Sequence, residues 1–419
     1  MNKELQKLKQ CYIPLYANGA IGLTECAKKI GITTVSVWRL AKRYKKDGAK
    51  VFIHGHTGKP SHNLKLTQPR KNNITDYYKN SWFGAPYQVF YEYVLSDLKE
   101  DVSYTAVTYT LNNAGYMSPK AHKPKAEKKK HLPREERPCE GELLQLDGCK
   151  HDWFMNKHKT VIHGMIDDAT HKPTALYMCE NECLLGYQEA LRRTNEKSGG
   201  FPEPVYSDRS SIFCVTKENL EKVSIQEQLA GIDKSETQWQ KMCEVLNIQC
   251  IFALSPEAKG RIERLWETLQ GRLPYIFRFL GINTIEAANE FLSTYIDIFN
   301  EQFSVDPQSD IKKWHKAPEN INYDYLMSVK SEKTVKSNGT FCYHGEKFYC
   351  KLPLKKVTLC LNERFGLKIF YQNKWYDVEL YEPLQDTYSD TMPIVEKELI
   401  RRYFYTDTHS NTYKMREYG

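Results

Sequence analysis

The spacing of apolar positions divides the chain into three regions. Up to about residue 116 apolar residues recur every three to four positions, as in helices, whereas from residue 142 they form short runs between turn residues, as in strands. From residue 340 the runs are shorter and separated by glycine-containing turns. The pattern predicts an all-α N-terminal region, a mixed α/β middle and a small all-β C-terminal region, and three domains suit a chain of 419 residues.

The first region begins with a pattern typical of two short helices joined by a tight turn. Thr24 is expected to cap the first helix, Gly31 permits the turn, and Thr33 is expected to open the second helix. Because the outward positions of the second helix are polar and basic, we interpret residues 1–62 as a helix-turn-helix DNA-binding domain rather than an ordinary helical hairpin. The side chains expected to contact DNA are Ser36, Trp38, Arg39, Lys42 and Arg43.

A second helical pattern follows over residues 66–119. Positions 86–98 are amphipathic, and Ser103 is expected to cap a further helix that ends at Asn113-Ala114-Gly115. We interpret these residues as a second helix-turn-helix domain.

Two basic linkers border this second domain. Residues 54–61 suit an arm along the DNA backbone or minor groove, with Lys59 as a contact, although the two histidines there are an alternative metal site. Residues 120–138 interleave lysines with prolines, and such a charge run either is simply solvated or follows the phosphate backbone. Phosphate contacts in this linker are expected from Lys128, Lys129 and Lys130.

Positive charge is concentrated in the same part of the chain. The whole chain carries a formal net charge of +8, but residues 1–138 contain 25 Lys and Arg against 11 Asp and Glu, a net of +14, which leaves −6 for residues 139–419. This asymmetry indicates a nucleic-acid-binding front part attached to a part with another role.

The middle region, residues 139–310, is expected to fold as a mixed α/β domain. Three antiparallel strands are predicted first, later strands alternate with helices, and a polar insertion occupies about 215–234. The predicted strands cover 144–147, 160–166, 174–178, 204–208 and 248–253, and the predicted helices cover 184–196, 236–246 and about 258–280. Beyond this domain, residues 330–385 are predicted to form a small β-barrel, followed by a tail over 386–419.

Twelve cysteines are scattered without a repeating spacing. No run is apolar enough to span a membrane and the N-terminus has no apolar signal segment, so we expect reduced thiols in a cytoplasmic protein. Cys179 and Cys183 form a close pair, but a structural zinc site requires a second pair of ligands, and none is evident in the sequence.

Three acidic residues stand where an α/β domain presents catalytic groups. Asp147 and Asp208 each end a predicted strand, and Glu263 lies in the first turns of the last predicted helix. Acids so placed can hold two divalent cations about 3.5–4 Å apart, one to activate an attacking oxygen and one to stabilise the leaving oxygen at phosphorus. Oxygen ligands select Mg²⁺, with Mn²⁺ as a substitute. The basic residues expected to meet DNA phosphates around Glu263 are Lys259, Arg261 and Arg264.

Other acids are alternatives to these three. Asp167 and Asp168 could supply a site carboxylate, but their place between two strands favours a hairpin turn. Glu267 lies one helical turn after Glu263 and could replace it. Asp152 follows the first strand of the region and is expected to be solvated.

Three segments around these acids resemble the motifs of DDE insertion-sequence transposases, most of all the bacterial group named ISNCY. The segments are 144–148, 206–213 and 255–264, and the third, with Gly-x-x-Glu-Arg after Ser-Pro, is the most specific. This family belongs to the retroviral-integrase superfamily, whose catalytic core is ribonuclease H-like. The resemblance covers the core, about 139–305, and extends to the helical front part.

The resemblance implies that Asp147, Asp208 and Glu263 form the metal-binding catalytic triad, with two Mg²⁺ or Mn²⁺ ions. The implied reaction is a hydrolysis that exposes 3′-OH ends, which then attack double-stranded target DNA without a covalent enzyme intermediate. A homo-oligomer that pairs two ends in a synaptic complex is implied as well. The 54 residues between Asp208 and Glu263 exceed the spacing of many relatives, which the insertion explains, and Ser210 stands where relatives often carry a histidine.

Two other functions compete with transposition. A non-catalytic regulator derived from a transposase would bind DNA without cutting it, which the intact set of acids disfavours. A stand-alone ribonuclease H-type nuclease would leave the helix-turn-helix patterns without a role. The sequence therefore favours a DNA transposase in a bacterial cytoplasm, associated with the nucleoid and without a membrane partner.

Overall fold

The computed structural model describes residues 3–52, 66–119, 135–215, 236–253, 259–382 and 394–404. The chain divides into two compact units: the first unit comprises Met1–Asp76 and Val94–Gly115, and the second unit comprises Tyr77–Tyr93 and Tyr116–Gly419. Several predictions lie outside the described residues. These are the linker over 54–61 with Lys59, most of the linker over 120–138 with Lys128, Lys129 and Lys130, the insertion from 216 onward and the first four residues of the third motif.

The first unit begins with three helices packed around a small apolar core: α1 (Lys3–Ala17), α2 (Leu23–Ile30) and α3 (Thr34–Asp47), followed by a 3₁₀ turn over Gly48–Phe52. Gly31 adopts the left-handed conformation (φ 75°) at the end of α2, and the Thr33 side chain caps α3 by accepting a hydrogen bond from the backbone N–H of Ser36. The predicted Thr24 cap is wrong, because α2 begins at Leu23 with Gly22 as its N-cap.

Three further helices follow: α4 (Gln68–Ser81), α5 (Tyr87–Ser96) and α6 (Tyr104–Asn113). Ser103 caps α6 as predicted, accepting a hydrogen bond from the backbone N–H of Ala106. The boundaries between the two units fall within α4 and α5, so the residues of the predicted second domain are divided between the units.

The second unit is built on a five-stranded sheet of β2 (Leu144–His151), β3 (Thr160–Asp167), β4 (Pro173–Cys179), β5 (Pro204–Ser207) and β6 (Gln249–Phe252). The strand order is β4-β3-β2-β5-β6; β2, β3 and β4 are antiparallel, whereas β5 and β6 run parallel to β2. Every residue of β3 and β4 is buried, as the continuous apolar runs require. This mixed sheet fits the ribonuclease H-like core that the resemblance implies.

Five helices accompany this sheet: α7 (Leu184–Ser198), α8 (Gln238–Val245), α9 (Gly260–Gln270), α10 (Leu273–Leu280) and α11 (Ile285–Phe303). Helices α7 and α11 pack on β4, and α9 packs on β2. The single helix predicted over about 258–280 is wrong. It breaks after Gln270, and Pro274 in the first turn of α10 suits a helix start because proline donates no backbone hydrogen bond.

The C-terminal part contains α12 (Tyr323–Leu326) and two antiparallel sheets. The four-stranded sheet has the order β13-β12-β11-β8, from β8 (Val329–Thr334), β11 (Lys356–Asn362), β12 (Gly366–Tyr371) and β13 (Lys374–Asp377). The three-stranded sheet has the order β14-β10-β9, from β9 (Thr340–Tyr343), β10 (Glu346–Tyr349) and β14 (Glu379–Glu382). The predicted closed barrel is therefore not formed by the described residues, although side chains of both sheets share one buried cluster with the core.

Three further elements belong to the second unit. Strand β1 (Cys139–Glu140) pairs in parallel with β7 (Ser309–Lys312), and helix α13 (Ile394–Phe404) lies in the predicted tail and packs on β12. Among the described helices, none is long and apolar enough to cross a membrane.

Candidate active site on β2 and β5

The parallel pairing of β2 with β5 sets two acids side by side. Asp208 directly follows the last residue of β5, whereas Asp147 lies in the middle of β2, so the prediction that Asp147 ends its strand is wrong: the strand continues to His151. The register pairs Leu144 with Val205 and Gln145 with Tyr206. Two residues further along each strand, the same register sets Asp147 beside Asp208, with both side chains on one face of the sheet. Two acids separated by 60 residues in sequence are thus neighbours in the fold.

The ammonium group of Lys259 lies between these two carboxylates. Its Nζ donates a hydrogen bond of 2.6 Å to Asp147 Oδ1 and lies 3.7 Å from Asp208 Oδ2. The Lys259 side chain is only 8% exposed, so its charge depends on these partners, whereas the Asp208 side chain is 46% exposed. The two carboxylates therefore face a common point that a single positive charge occupies.

The other oxygen of Asp147 is held by Trp266. The indole Nε1 of Trp266 donates a hydrogen bond of 3.0 Å to Asp147 Oδ2. The indole is close to β3 because Gly164, the partner of Asp147 in the antiparallel register, has no side chain. A Cβ at position 164 would lie 2.4 Å from the Trp266 ring. The pair of Gly164 and Trp266 thus fixes the orientation of the Asp147 carboxylate.

Glu263 lies on the same side of α9 as the residues that contact β2. Positions 259, 263, 266 and 270 share one side of a helix. On this side Lys259 and Trp266 both hydrogen-bond Asp147. Further along the same side, Gln270 Nε2 lies 3.2 Å from Cys149 Sγ. The Glu263 side chain is exposed, and the ligand oxygens of Asp147, Asp208 and Glu263 do not all lie within 4.8 Å of one another. The structure brings the two aspartates together and places the glutamate on the adjoining helix face.

A buried glutamine fixes the start of α9 on β2. Gln145 Oε1 accepts a hydrogen bond of 3.3 Å from the backbone N–H of Ile262, one of the donors that a helix start leaves without an internal partner. The amide Nε2 of Gln145 in turn donates to Asp168 Oδ1 at 3.0 Å. This amide therefore ties α9, and with it Glu263, to β2, in addition to the bonds that Lys259 and Trp266 make to Asp147.

The acids considered as alternatives to the three are either engaged in hydrogen bonds or exposed. Asp167 and Asp168 are fully buried between β3 and β4; Asp167 accepts hydrogen bonds from Gly141 and Thr170, and burial raises the pKa of its carboxyl group. Asp152 accepts hydrogen bonds from the backbone of two residues in the turn that follows β2. Glu267 is exposed one turn after Glu263.

A tyrosine and a glutamate that the sequence patterns did not single out also border the site. Tyr187 Oη donates a hydrogen bond of 2.6 Å to Glu182 Oε1, and a Cβ on Gly148 would lie 3.0 Å from both the Glu182 carboxyl carbon and Tyr187 Oη. Burial and then the charge of Glu182 raise the pKa of Tyr187 well above its usual value, so its hydroxyl remains a donor. No sequence signal marks this pair, because it forms only when α7 packs beside β2.

Comparisons with known proteins agree with the sequence resemblance. No protein-family profile matches the chain. The transposase for insertion sequence IS1202 of Streptococcus pneumoniae is 25% identical over an alignment that covers 94% of this chain and 88% of that protein. The protein named "Putative transposase y4bF" of Sinorhizobium fredii is 29% identical, covering 82% of this chain and 72% of that protein. The chain is a homologue of insertion-sequence transposases.

Solved structures of retroviral integrases show a weaker similarity to this transposase homologue. The HTLV-2 integrase catalytic core in complex with magnesium is 15% identical with a TM-score of 0.27, covering 37% of this chain and 85% of that chain. The integrase of a simian T-cell lymphotropic virus intasome, in complex with the PP2A regulatory subunit B56γ, is 12% identical with a TM-score of 0.31, covering 73% of this chain and 97% of that chain.

The predicted DNA-contacting residues of this transposase homologue fall into two groups. On α3 four of these side chains are exposed, namely Trp38, Arg39, Lys42 and Arg43. Lys42 Nζ lies 5.3 Å from the centroid of the Trp38 ring. The Ser36 hydroxyl is hydrogen-bonded to the Thr33 hydroxyl. On α9, Arg264 is exposed. Lys259 and Arg261 are instead engaged by carboxylates, Lys259 as described above and Arg261 by Glu136 and Asp168.

Proposed function

We propose that this chain is a DDE-type DNA transposase. It would bind the terminal repeats of an insertion sequence, cleave to expose 3′-OH ends and join them to target DNA. The observation that carries the proposal is the convergence of Asp147 and Asp208 on one cationic point beside the helix that bears Glu263. The homology to insertion-sequence transposases along most of the chain supports it.

The donor set suits a hard divalent cation. The candidate ligands of Asp147, Asp208 and Glu263 are carboxylate oxygens, which favour Mg²⁺ or Mn²⁺ over softer metals. The Lys259 ammonium, held by both aspartates, is a stand-in cation that marks where positive charge is stabilised. Two such ions, when bound, supply Lewis-acid activation of the attacking and leaving oxygens of a phosphodiester.

The residues around the triad have definable tasks. Trp266 holds Oδ2 of Asp147, which leaves Oδ1 to be shared with a cation. Lys259 occupies Oδ1 in the absence of metal, and if a cation were held there its ammonium would become available to a DNA phosphate. Gln145 holds the start of α9, so Glu263 stays beside the aspartates when DNA enters.

Recognition of the transposon ends is assigned to the N-terminal part. Residues 1–138 carry a net charge of +14, which attracts the phosphate backbone, and α3 exposes an aromatic and several basic side chains that suit base and phosphate contacts. Since two ends must be processed together, the active form is a homo-oligomer that binds both ends and the target.

The test is a cleavage and strand-transfer assay with the full chain and a duplex carrying the ends of the element. With Mg²⁺ or Mn²⁺ the wild-type protein should nick the ends and join them, and Asp147→Asn, Asp208→Asn and Glu263→Gln should each abolish both steps while end binding persists. Glu267→Gln, a change of the same kind one helical turn away, is the matched control and should remain active. Metal-independent end binding without any cleavage would favour the alternative, a non-catalytic DNA-binding regulator.

A further inference from the structure

A second cluster of potential ligands lies apart from the three acids. His163 on β3, Cys179 at the end of β4 and Cys183 at the start of α7 place their ligating atoms within 4.8 Å of one another. It is the one such group of three among the residues that the structure describes. The sequence showed the two cysteines but no further ligand; the antiparallel pairing of β3 with β4 supplies the histidine, since His163 is the register partner of Tyr177.

The imidazole of His163 is held in the tautomer that a metal ligand needs. Its Nδ1 lies 3.2 Å from the carbonyl oxygen of Tyr177, to which an Nδ1–H donates, and Nε2 accepts a hydrogen bond of 3.1 Å from the backbone N–H of Cys183. Metal-ligating histidines commonly donate their second ring N–H to a carbonyl in this way. The lone pair of Nε2 therefore points to the residue that carries one of the thiols.

The absence of a side chain at Gly186 makes room for the imidazole of His163. A Cβ on Gly186, in the first turn of α7, would lie 2.4 Å from the His163 ring, so a glycine stands in a helix where it is otherwise unfavourable. Tyr187 packs edge-on against the imidazole with ring centroids 4.7 Å apart. His163 is fully buried, whereas Cys183 is only partly buried and gives access from solvent.

The two thiols lie within reach of one ion. The Cys183 sulfur accepts a hydrogen bond of 3.4 Å from the backbone N–H of Gly186, and it lies within 4.8 Å of the Cys179 sulfur. The thiolate is the form that ligates metals. A second hydrogen-bonded thiol pair, Cys243 and Cys250, provides a comparison, because it belongs to no group of three ligands among the described residues.

We propose that His163, Cys179 and Cys183 form a binding site for a thiophilic divalent cation, with Zn²⁺ as the fitting ion and water in a fourth position. Binding would release the remaining thiol protons to solvent, and the metal would replace the Cys183 N–H as the partner of Nε2. The ion would tie β3, β4 and α7 together directly beside Glu182. The site is chemically separate from the acids, since a two-sulfur, one-nitrogen donor set selects zinc over magnesium.

Cobalt is the probe, because Co²⁺ bound to thiolates absorbs strongly in the near ultraviolet. The reduced, metal-free full chain is titrated with Co²⁺, and one equivalent should produce thiolate-to-cobalt absorption that added Zn²⁺ removes. Cys183→Ser and His163→Asn should each weaken the affinity for Co²⁺ at least 100-fold and abolish the increase in Tm that Zn²⁺ gives the wild-type chain. Two independent replacements guard against a variant that fails to fold.

Cys250→Ser, from the comparison pair, and Asp147→Asn, from the acidic site, are the matched controls and should leave the cobalt absorption unchanged. Absence of the thiolate absorption in the reduced wild-type chain overturns the proposal, and so does its persistence in both Cys183→Ser and His163→Asn. Loss of the signal in Cys250→Ser alone would move the site to the other thiol pair and also refute the assignment.

Discussion

Trp266 on α9 donates its indole N–H to Oδ2 of Asp147 on β2, at 3.0 Å. The same indole covers Gly164, the cross-strand partner of Asp147. A residue that belongs to the apolar face of α9 thereby also orients a proposed catalytic carboxylate.

Replacing Trp266 with phenylalanine should keep most of the packing and remove the hydrogen bond. Because the residues that orient ligands of a metal site typically contribute about 10- to 100-fold to affinity or activity, we expect cleavage to slow by that factor. Single-turnover rates as a function of Mn²⁺ concentration would measure it, with end binding unchanged. The matched control is Trp314→Phe, which removes an indole bond to the Glu140 carboxylate outside the site; equal losses in the two variants would contradict the orienting role.

Gly164→Ala should displace the indole of Trp266. The added Cβ would lie 2.4 Å from the ring, closer than any real contact, so we expect the free energy of unfolding to fall by about 1–3 kcal/mol and cleavage to be impaired. Urea denaturation and the cleavage assay test the two effects. Gly260→Ala, on α9 itself, has open space around its added Cβ and should be neutral or slightly stabilising; a neutral Gly164→Ala would remove the steric argument.

Lys259→Met tests whether the Lys259 ammonium and a divalent cation compete for the Asp147 carboxylate. Without the ammonium, Asp147 loses its 2.6 Å partner, so the metal-free chain should lose about 1–3 kcal/mol of stability. Mn²⁺ should then bind more tightly than in the wild type, because no resident cation has to leave. Electron paramagnetic resonance of free Mn²⁺ gives the affinity, and Arg264→Met, at an exposed position of α9, serves as the control. Weaker Mn²⁺ binding in Lys259→Met would show that the lysine helps to hold the metal.

The lowered pKa of buried Lys330 predicts that the stability of the folded chain depends on pH in the alkaline range. Burial lowers the pKa of its ammonium from 10.5 to about 8 in the folded chain. Between these two values the unfolded chain binds more protons, so stability should increase as the pH rises from about 8 toward 10.5. Lys330→Met should remove this increase, as seen in the Tm measured across that range. Lys356→Met, which removes an exposed lysine from the neighbouring strand β11, should retain it.

Arg39→Ala on α3 should weaken recognition of the terminal repeats. If the side chain contacts a base edge, discrimination between the repeat and unrelated DNA should fall by about 1–3 kcal/mol, whereas a phosphate contact would lower affinity for all sequences alike. Competition binding at two salt concentrations separates these outcomes. Lys7→Ala removes an equal charge from α1 and should leave discrimination intact; discrimination unchanged in Arg39→Ala would exclude this arginine from base reading.

The sequence predicted those features of the fold that depend on local pattern. Short apolar runs located the strands, and Asp147 on β2 and Asp208 after β5 became neighbours because these strands run parallel in register. The break between α9 and α10 was missed because the apolar stripe continues through Leu273, which is buried on the other side of the break. The predicted barrel is not confirmed, since the described strands form two separate sheets and strand patterns do not specify which strands pair.

The sequence predicted the acids of the candidate site but not the residues that position them. Lys259 is basic and adjacent to a proposed ligand, so the sequence suggested a DNA contact, and only the tertiary structure places its ammonium between two carboxylates. Gln145 and Gly164 have no sequence signature, since a buried amide and a strand glycine acquire their roles from the helix packed across them. Contacts between elements distant in sequence account for each of these omissions.

The hydrogen bond from Ile262 to Gln145 has a consequence for how the gene tolerates change. Because α9 takes its position from β2, we expect that the length of the predicted insertion, about residues 215–234, can vary without shifting Glu263. We therefore expect this insertion to accept a foreign peptide, such as an epitope or a small fluorescent reporter, for following the protein in living cells.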